Sequence, residues 1–168
     1  VPEELIGRTF TNPMTEEKGL LILPGNFVDT SVGTGVVVSE PSDAPDDHIA
    51  LEDLKKNERY LARFNLKKSD IEKIKYVPLI DLPGYGKFPA VDICERMGIK
   101  SGGDEEKLLA AKKEMYKLQF HRGTIVKSIK ELAGKTIPEA IEFVKHTHKS
   151  VLDSLHEPSE KVVCKCGA

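Results

Sequence analysis

Between Gly33 and Lys56 the chain changes backbone type twice, and this stretch restricts the fold more than any other. It runs from a Gly33-Thr34-Gly35 turn into Val36-Val37-Val38, meets Pro41, and reaches Pro45-Asp46-Asp47. Three β-branched residues after a glycine turn predict a buried strand. Pro41 ends it, because proline has no N–H to give to a ladder. Proline followed by two carboxylates predicts a helix start, since acidic side chains suit the positive end of the helix dipole. The spacing of Ala50, Leu54, Leu61 and Phe64 carries that helix to about Phe64, with Lys55, Lys56, Asn57 and Glu58 facing water. A strand and a helix this close together require a fold that mixes both.

The remaining segments follow the same reading. Leu5 to Phe10 and Gly19 to Leu23 are strand candidates, closed by Asn12-Pro13 and Pro24-Gly25, the second of them buried. Tyr76 to Leu82 is extended, and Pro78 places it at an edge. Phe88 to Met97 is a short helix stopped by Gly98. Asp104 caps a helix to about Phe120, with Leu108, Ala111, Met115 and Leu118 as its buried stripe. Gly123 to Val126 is a short strand. Thr136 and Glu139 fit a capping box with Pro138 in the first turn. The helix they open has one apolar face: Ile137, Ala140, Ile141, Val144, Val151, Leu152 and Leu155. No regular βαβ alternation runs through these elements, so the expected class is α+β.

The 168 residues amount to one domain, with 39% hydrophobic and 31% charged residues, a globular composition. A net charge of −2 provides no global basic field, so contact with RNA needs a local patch or a larger body that delivers it. The cysteines, Cys94, Cys164 and Cys166, are odd in number and read as free thiols of a reducing, cytosolic setting. The first residues do not form a signal peptide, and no stretch approaches the roughly 20 apolar residues needed to cross a bilayer. Both ends read as cut, which makes a piece of a longer polypeptide the expectation.

The segment from Gly33 to Lys56 resembles the second signature of the editing domain inserted into leucyl-, isoleucyl- and valyl-tRNA synthetases. The Pro41-Ser42-Asp43-Ala44-Pro45-Asp46-Asp47 version is similar to the eukaryotic cytosolic leucyl branch, and also to the archaeal one. Gly84-Tyr85-Gly86, Pro89-Ala90-Val91, Ile99-Lys100-Ser101 and Asp104 to Tyr116 are similar to the segments that follow in that branch. The resemblance implies an α+β fold with a mixed β-barrel-like sheet core flanked by helices. It implies that residues 1–168 are a partial editing domain with a leucyl-type helical insertion at about 66–135. The family's upstream threonine-rich segment, with its Arg-Pro pair, has no counterpart here. The implied activity is hydrolysis of the ester of misacylated tRNA(Leu), inside an ATP-dependent leucine–tRNA ligase of the cytoplasm. Implied partners are the acceptor end of tRNA(Leu), the misactivated amino acid and the rest of the synthetase, with no membrane. No metal or cofactor is implied for editing. ATP and Mg serve the parent enzyme, and this chain has neither of its ATP-site signatures.

An aminoacyl ester is already labile, so a hydrolase must mainly position it with a water and stabilise developing charge. A carboxylate on a rigid helix start can anchor the aminoacyl ammonium through a charge-assisted pair. By resemblance that catalytic carboxylate is Asp47, with Asp46 as the structural member. The resemblance places Gly33, Thr34, Gly35, Val37 and Asp43 against the substrate, the glycines admitting it close to the backbone. Such a site sorts by size, excluding leucine while smaller or unbranched analogues enter. Glu40 stands where the family carries an apolar residue, either altering the floor of the site or sitting at the solvent end of the strand. The absent threonine-rich segment favours an alternative, a non-catalytic tRNA- or protein-binding module that keeps the fold.

Other motifs read as ordinary structure. His48 diverges by about 100° from Asp47 around a helix and is expected in solvent. Gly134-Lys135-Thr136 looks like the end of a phosphate loop, but Ile129 stands where that loop needs glycine. His146 and His148 point to different sides of one helix, and His148 falls on its apolar side as a core residue. Cys164 and Cys166 are at most half a zinc site. Lys112, Lys113 and Lys117 with Arg122 form a wet helix face that could guide an acceptor stem.

Overall fold

The computed structural model describes residues 3–12, 16–28 and 35–147. After a 3-10 turn at Glu3–Leu5, β1 (Thr9–Phe10) pairs antiparallel with β2 (Leu20–Leu21). The helices α1 (Pro45–Lys56), α2 (Glu58–Ala62) and α3 (Lys68–Glu72) follow. Next come β3 (Ile80–Asp81), α4 (Pro89–Met97), α5 (Glu105–Arg122), β4 (Thr124–Ile125) and α6 (Ile137–Thr147). β3 pairs antiparallel with β4, Ile80 opposite Ile125. The α+β class is as expected. The barrel-like sheet core is not formed by the described residues, whose strands make two separate two-stranded ladders.

The valine run is the main departure. Val36, Val37 and Val38 lie outside any strand and are 53%, 57% and 53% exposed, where a buried strand was expected. β-branched side chains suit a pleated, half-buried surface only where a neighbouring element covers them, and no described residue buries these. The long helix expected from Pro45 to Phe64 is instead two. Asn57 leaves helical geometry at φ −115°, ψ 69°, and its side chain accepts the Tyr60 N–H at 3.1 Å to start α2. An asparagine that can bond the backbone locally competes with the helix in this way. The short helix α3 has only Ile71 buried and carries no periodic signal in the sequence.

Elsewhere local chemistry decides the boundaries. Pro89 opens α4, and Gly98 closes it in the left-handed region at φ 63°, a conformation that glycine adopts without strain. Thr136 and Glu139 close their reciprocal capping box, the Glu139 carboxylate accepting the Thr136 N–H at 2.8 Å. Asp104 precedes α5 but turns back, accepting the amides of Lys100 and Ser101 at 2.8 and 3.3 Å. In α6 only Ala140 is buried, and Ile141 is exposed. The rest of its expected face from Val151 onward, together with His148, Cys164 and Cys166, lies outside the described residues.

α1 belongs to two cores at once. Ile49 joins Leu82, Ile93, Cys94, Ile99, Ala111 and Met115 on the side of α4 and α5. Leu51 and Leu54 join Leu61, Leu66 and Ile71 on the side of α2 and α3. Each fully buried Leu or Ile contributes about 1.5–3 kcal/mol of transfer free energy, so both flanks hold the helix.

Candidate site at the first turn of helix α1

Asp47 occupies the first turn of α1 and is 8% exposed. Its Oδ2 accepts the Glu40 N–H at 2.5 Å, folding the carboxylate back onto the segment that leads into the helix. Burial pushes its pKa up; the Glu40 amide and the Ser39 hydroxyl pull it down, Asp46 raises it and Lys112 lowers it. Asp46 points the other way and is ion-paired with Lys112 of α5. Lys112 stays above its ordinary value: burial, its largest influence, pulls it down, but the bond to Asp46 and the neighbouring charges outweigh that. Tyr116, one turn along α5, lies in the field of Asp46, Asp47 and Glu40.

Asp43 is 2% exposed and is used by the protein's own backbone. Its carboxylate accepts the amides of Leu79 at 3.0 Å and Ile80 at 3.2 Å, at the entrance to β3. Ser42 Oγ lies 2.6 Å from both Asp43 Oδ2 and the Val77 carbonyl oxygen, so its one proton can go to either. The Asp43 carbonyl accepts from Gln119 Nε2 at 2.7 Å, and the Ser42 carbonyl accepts the Ala90 N–H at 3.0 Å. Burial raises the Asp43 pKa against the lowering effect of the Ser42 hydroxyl and the Leu79 and Ile80 amides. Ser42 and Asp43 thus fasten the approach to α1 onto β3, α4 and α5.

Glu40 is pushed up to about 7, by the mass of protein around it first, then by the like charges of Asp43 and Asp47. Its residue surface remains exposed, so this is crowding and not enclosure. Of the other expected contact residues, Gly35 is buried with φ 67°, Val37 is exposed, and Gly33 and Thr34 lie outside the described residues. A groove of about 620 Å³ runs along the Asp46 flank of α1, bordered by Phe27, Ala50, Tyr60, Leu109 and Lys112. Asp47 is not among its lining residues.

His48 is not in solvent. It is half-buried, its Nδ1 2.7 Å from the Tyr76 hydroxyl, which also lies 3.3 Å from Glu52. Lys113, Lys117 and Arg122 are exposed, as a wet face requires, whereas Lys112 is drawn inward to Asp46. Sequence reasoning missed Ser42 and Gln119. Gln119 continues the buried Ala111–Met115 face of α5, four residues on, and that spacing was the available signal.

The chain aligns over nearly its whole length with known proteins. It is 40% identical over 163 residues to leucine–tRNA ligase of Pyrococcus abyssi, covering 96% of this chain and 16% of that protein. It is 42% identical over 168 residues to leucine–tRNA ligase of Methanopyrus kandleri, covering 98% of this chain and 17% of that protein. Its fold matches the P. falciparum cytosolic leucyl-tRNA synthetase editing domain with a TM-score of 0.74 and 28% identity, over 86% of this chain and 47% of that one. The chain is a homologue of leucyl-tRNA synthetase editing domains. The fold of GlLeuRS-CP1 also matches, with a TM-score of 0.75 over 92% of this chain and 61% of that one. No protein-family model matches. This editing-domain homologue therefore spans about one-sixth of the length of the curated relatives it matches.

Proposed function

We propose that this segment works within an ATP-dependent leucine–tRNA ligase and hydrolyses the ester of misacylated tRNA(Leu), with Asp47 anchoring the substrate's ammonium. The observation that carries this reading is the Asp47 carboxylate held on the first turn of α1. A carboxylate offers about four acceptor positions. The Glu40 amide and the Ser39 hydroxyl leave capacity for an ammonium, and burial strengthens the resulting charge-assisted bond. The Gly33-Thr34-Gly35 backbone and Val37 would border the aminoacyl group. Asp43 takes a supporting place, since its oxygens already serve Leu79 and Ile80.

In the same reading residues 1–168 are a partial editing domain with a leucyl-type insertion at about 66–135. The acceptor end of tRNA(Leu), the misactivated amino acid and the rest of the synthetase are its partners, in the cytoplasm. ATP and Mg belong to the synthetic step of the parent enzyme, and the hydrolysis uses no cofactor. Among the described residues no helix is long and apolar enough to cross a membrane.

The test is Asp47→Asn in the full-length synthetase, assayed on norvalyl-tRNA(Leu). Asparagine still accepts the Glu40 N–H but carries no charge. Deacylation should be lost while leucylation persists. Deacylation at the unchanged rate would remove Asp47 from the site and leave the non-catalytic binding module as the better reading.

A further inference from the structure

Hydrogen bonds tie Gln119, a buried residue of α5, to the 40–44 turn, and that turn bonds the Asp47 carboxylate. Gln119 Nε2 donates to the Asp43 carbonyl at 2.7 Å. The Asp43 N–H donates to the Glu40 carbonyl at 3.0 Å, and the Ala44 N–H reaches the same oxygen at 2.9 Å. The Glu40 N–H then donates to Asp47 Oδ2 at 2.5 Å. The groups that receive and pass on these contacts belong to one tight turn, residues 40–44. The Asp43–Ala44 peptide accepts from Gln119 at its oxygen and donates to Glu40 at its nitrogen. The Glu40 carbonyl, by contrast, shares its peptide with Pro41, which has no N–H, so the last step to Asp47 is carried by the fixed geometry of the turn at Glu40 and not by polarisation.

Gln119 is 7% exposed and is the only buried polar side chain of α5 among the described residues. An amide donor in that position costs desolvation unless it is bonded, and a leucine would fill the space without that cost. The bond it makes is to the turn that aims Asp47.

We infer that Gln119 is a positioning residue for the hydrolytic site: it fixes the 40–44 turn, and through the Glu40 amide it sets the direction of the Asp47 carboxylate. The inference rests on the proposed editing role of Asp47. Gln119 does not touch substrate. Its influence is on geometry, to which such reactions are sensitive: a displacement of about 1 Å can cost on the order of 100-fold in rate.

The experiment uses the full-length synthetase with Gln119→Met, which keeps the volume and removes the donor. On norvalyl-tRNA(Leu), kcat for deacylation should fall by about tenfold or more with KM little changed. Leucylation and the thermal unfolding profile, which together report intact folding of the synthetic site and of this segment, should be unaffected. With the Glu40 amide no longer held in line, Asp47 loses a donor that favours its charged form. The acid limb of the deacylation profile should then move to higher pH. The groups facing Asp47 that could shift that limb are Glu40 on the turn, Asp46 on α1, and Lys112 and Tyr116 on α5, and all are retained. The Gln119→Met effect should also vanish when added to Asp47→Asn. An equal loss in both backgrounds, or an unmoved acid limb, would reduce Gln119 to a packing residue and overturn the inference. If Gln119→Met also loses leucylation or native unfolding, Gln119→Leu, equally uncharged and without a donor, replaces it under the same criteria. An Asp47→Asn enzyme with full deacylation would overturn the editing role itself, a separate result.

Discussion

Lys112 of α5 closes an ion pair with Asp46, the neighbour of the Asp47 carboxylate on the first turn of α1. The lysine side chain is partly exposed and Asp46 is largely covered, so the pair itself contributes modestly, about 0.2–1 kcal/mol. Its larger effect is electrostatic, since Lys112 lowers the Asp47 pKa. Lys112→Met should cost about 1–3 kcal/mol in urea denaturation, because it leaves the largely covered Asp46 carboxylate without its partner. It should also move the acid limb of deacylation to higher pH. An acid limb that stays in place would show that the lysine charge is screened from Asp47.

Glu40 yields a prediction whose sign is fixed. Its carboxyl titrates at about 7 in the fold against an ordinary 4.5. Between those values the folded chain holds a proton that the unfolded chain has lost, so stability falls as pH rises across that window. A glutamine side chain at this position cannot ionise. Glu40→Gln should therefore raise the melting temperature at pH 8 relative to the native chain and leave it nearly unchanged at pH 4. Equal effects at both values would sink this account.

The His48–Tyr76–Glu52 contacts tie α1 to the segment before β3. Tyr76→Phe removes the hydroxyl that both His48 and Glu52 use, at an expected cost of about 1–2 kcal/mol, since all three are partly buried. Burial holds the His48 pKa below its ordinary 6.5 against an opposing pull from Glu52. The unfolded chain then binds the extra proton first, so stability declines as pH falls below that value. His48→Asn should flatten this decline when denaturation midpoints are compared at pH 7 and pH 5.

Gly123 closes α5 at the point where that helix meets β3. A Cβ there would come within 2.6 Å of the Gln119 carbonyl oxygen and 2.8 Å of the Ile80 side chain. Gly123→Ala should destabilise the fold by about 1–3 kcal/mol, because backbone has to move to admit it. Both crowded residues also serve Asp43, so deacylation should suffer more than leucylation in the same enzyme. A variant with native stability and native deacylation would show that this junction is looser than its distances imply.

The parts of the fold legible in the sequence were those decided by chemistry within a few residues. Pro89 and Gly98 bound α4, and Thr136 with Glu139 opens α6, because caps and left-handed glycines act locally. The fate of Val36–Val38 was not legible, since its burial depends on what lies opposite, which β-propensity does not encode. In the candidate site, the helix start at Asp47 was visible, but the clamp behind it was not. Asp43 reaches amides 36 and 37 residues away, and Gln119 bonds a carbonyl 76 residues away. A buried glutamine interrupts the apolar pattern that sequence reading follows, and only the folded chain supplies its partner.

Because α1 is gripped on both flanks, by Ile49 on one side and by Leu51 and Leu54 on the other, it cannot slide or tilt without opening one of two interiors. Fine adjustment of the Asp47 carboxylate is thereby confined to the short run of peptide bonds ahead of the helix. Variation that retunes this centre should accumulate at residues 39–44, while the helix itself behaves as an anvil.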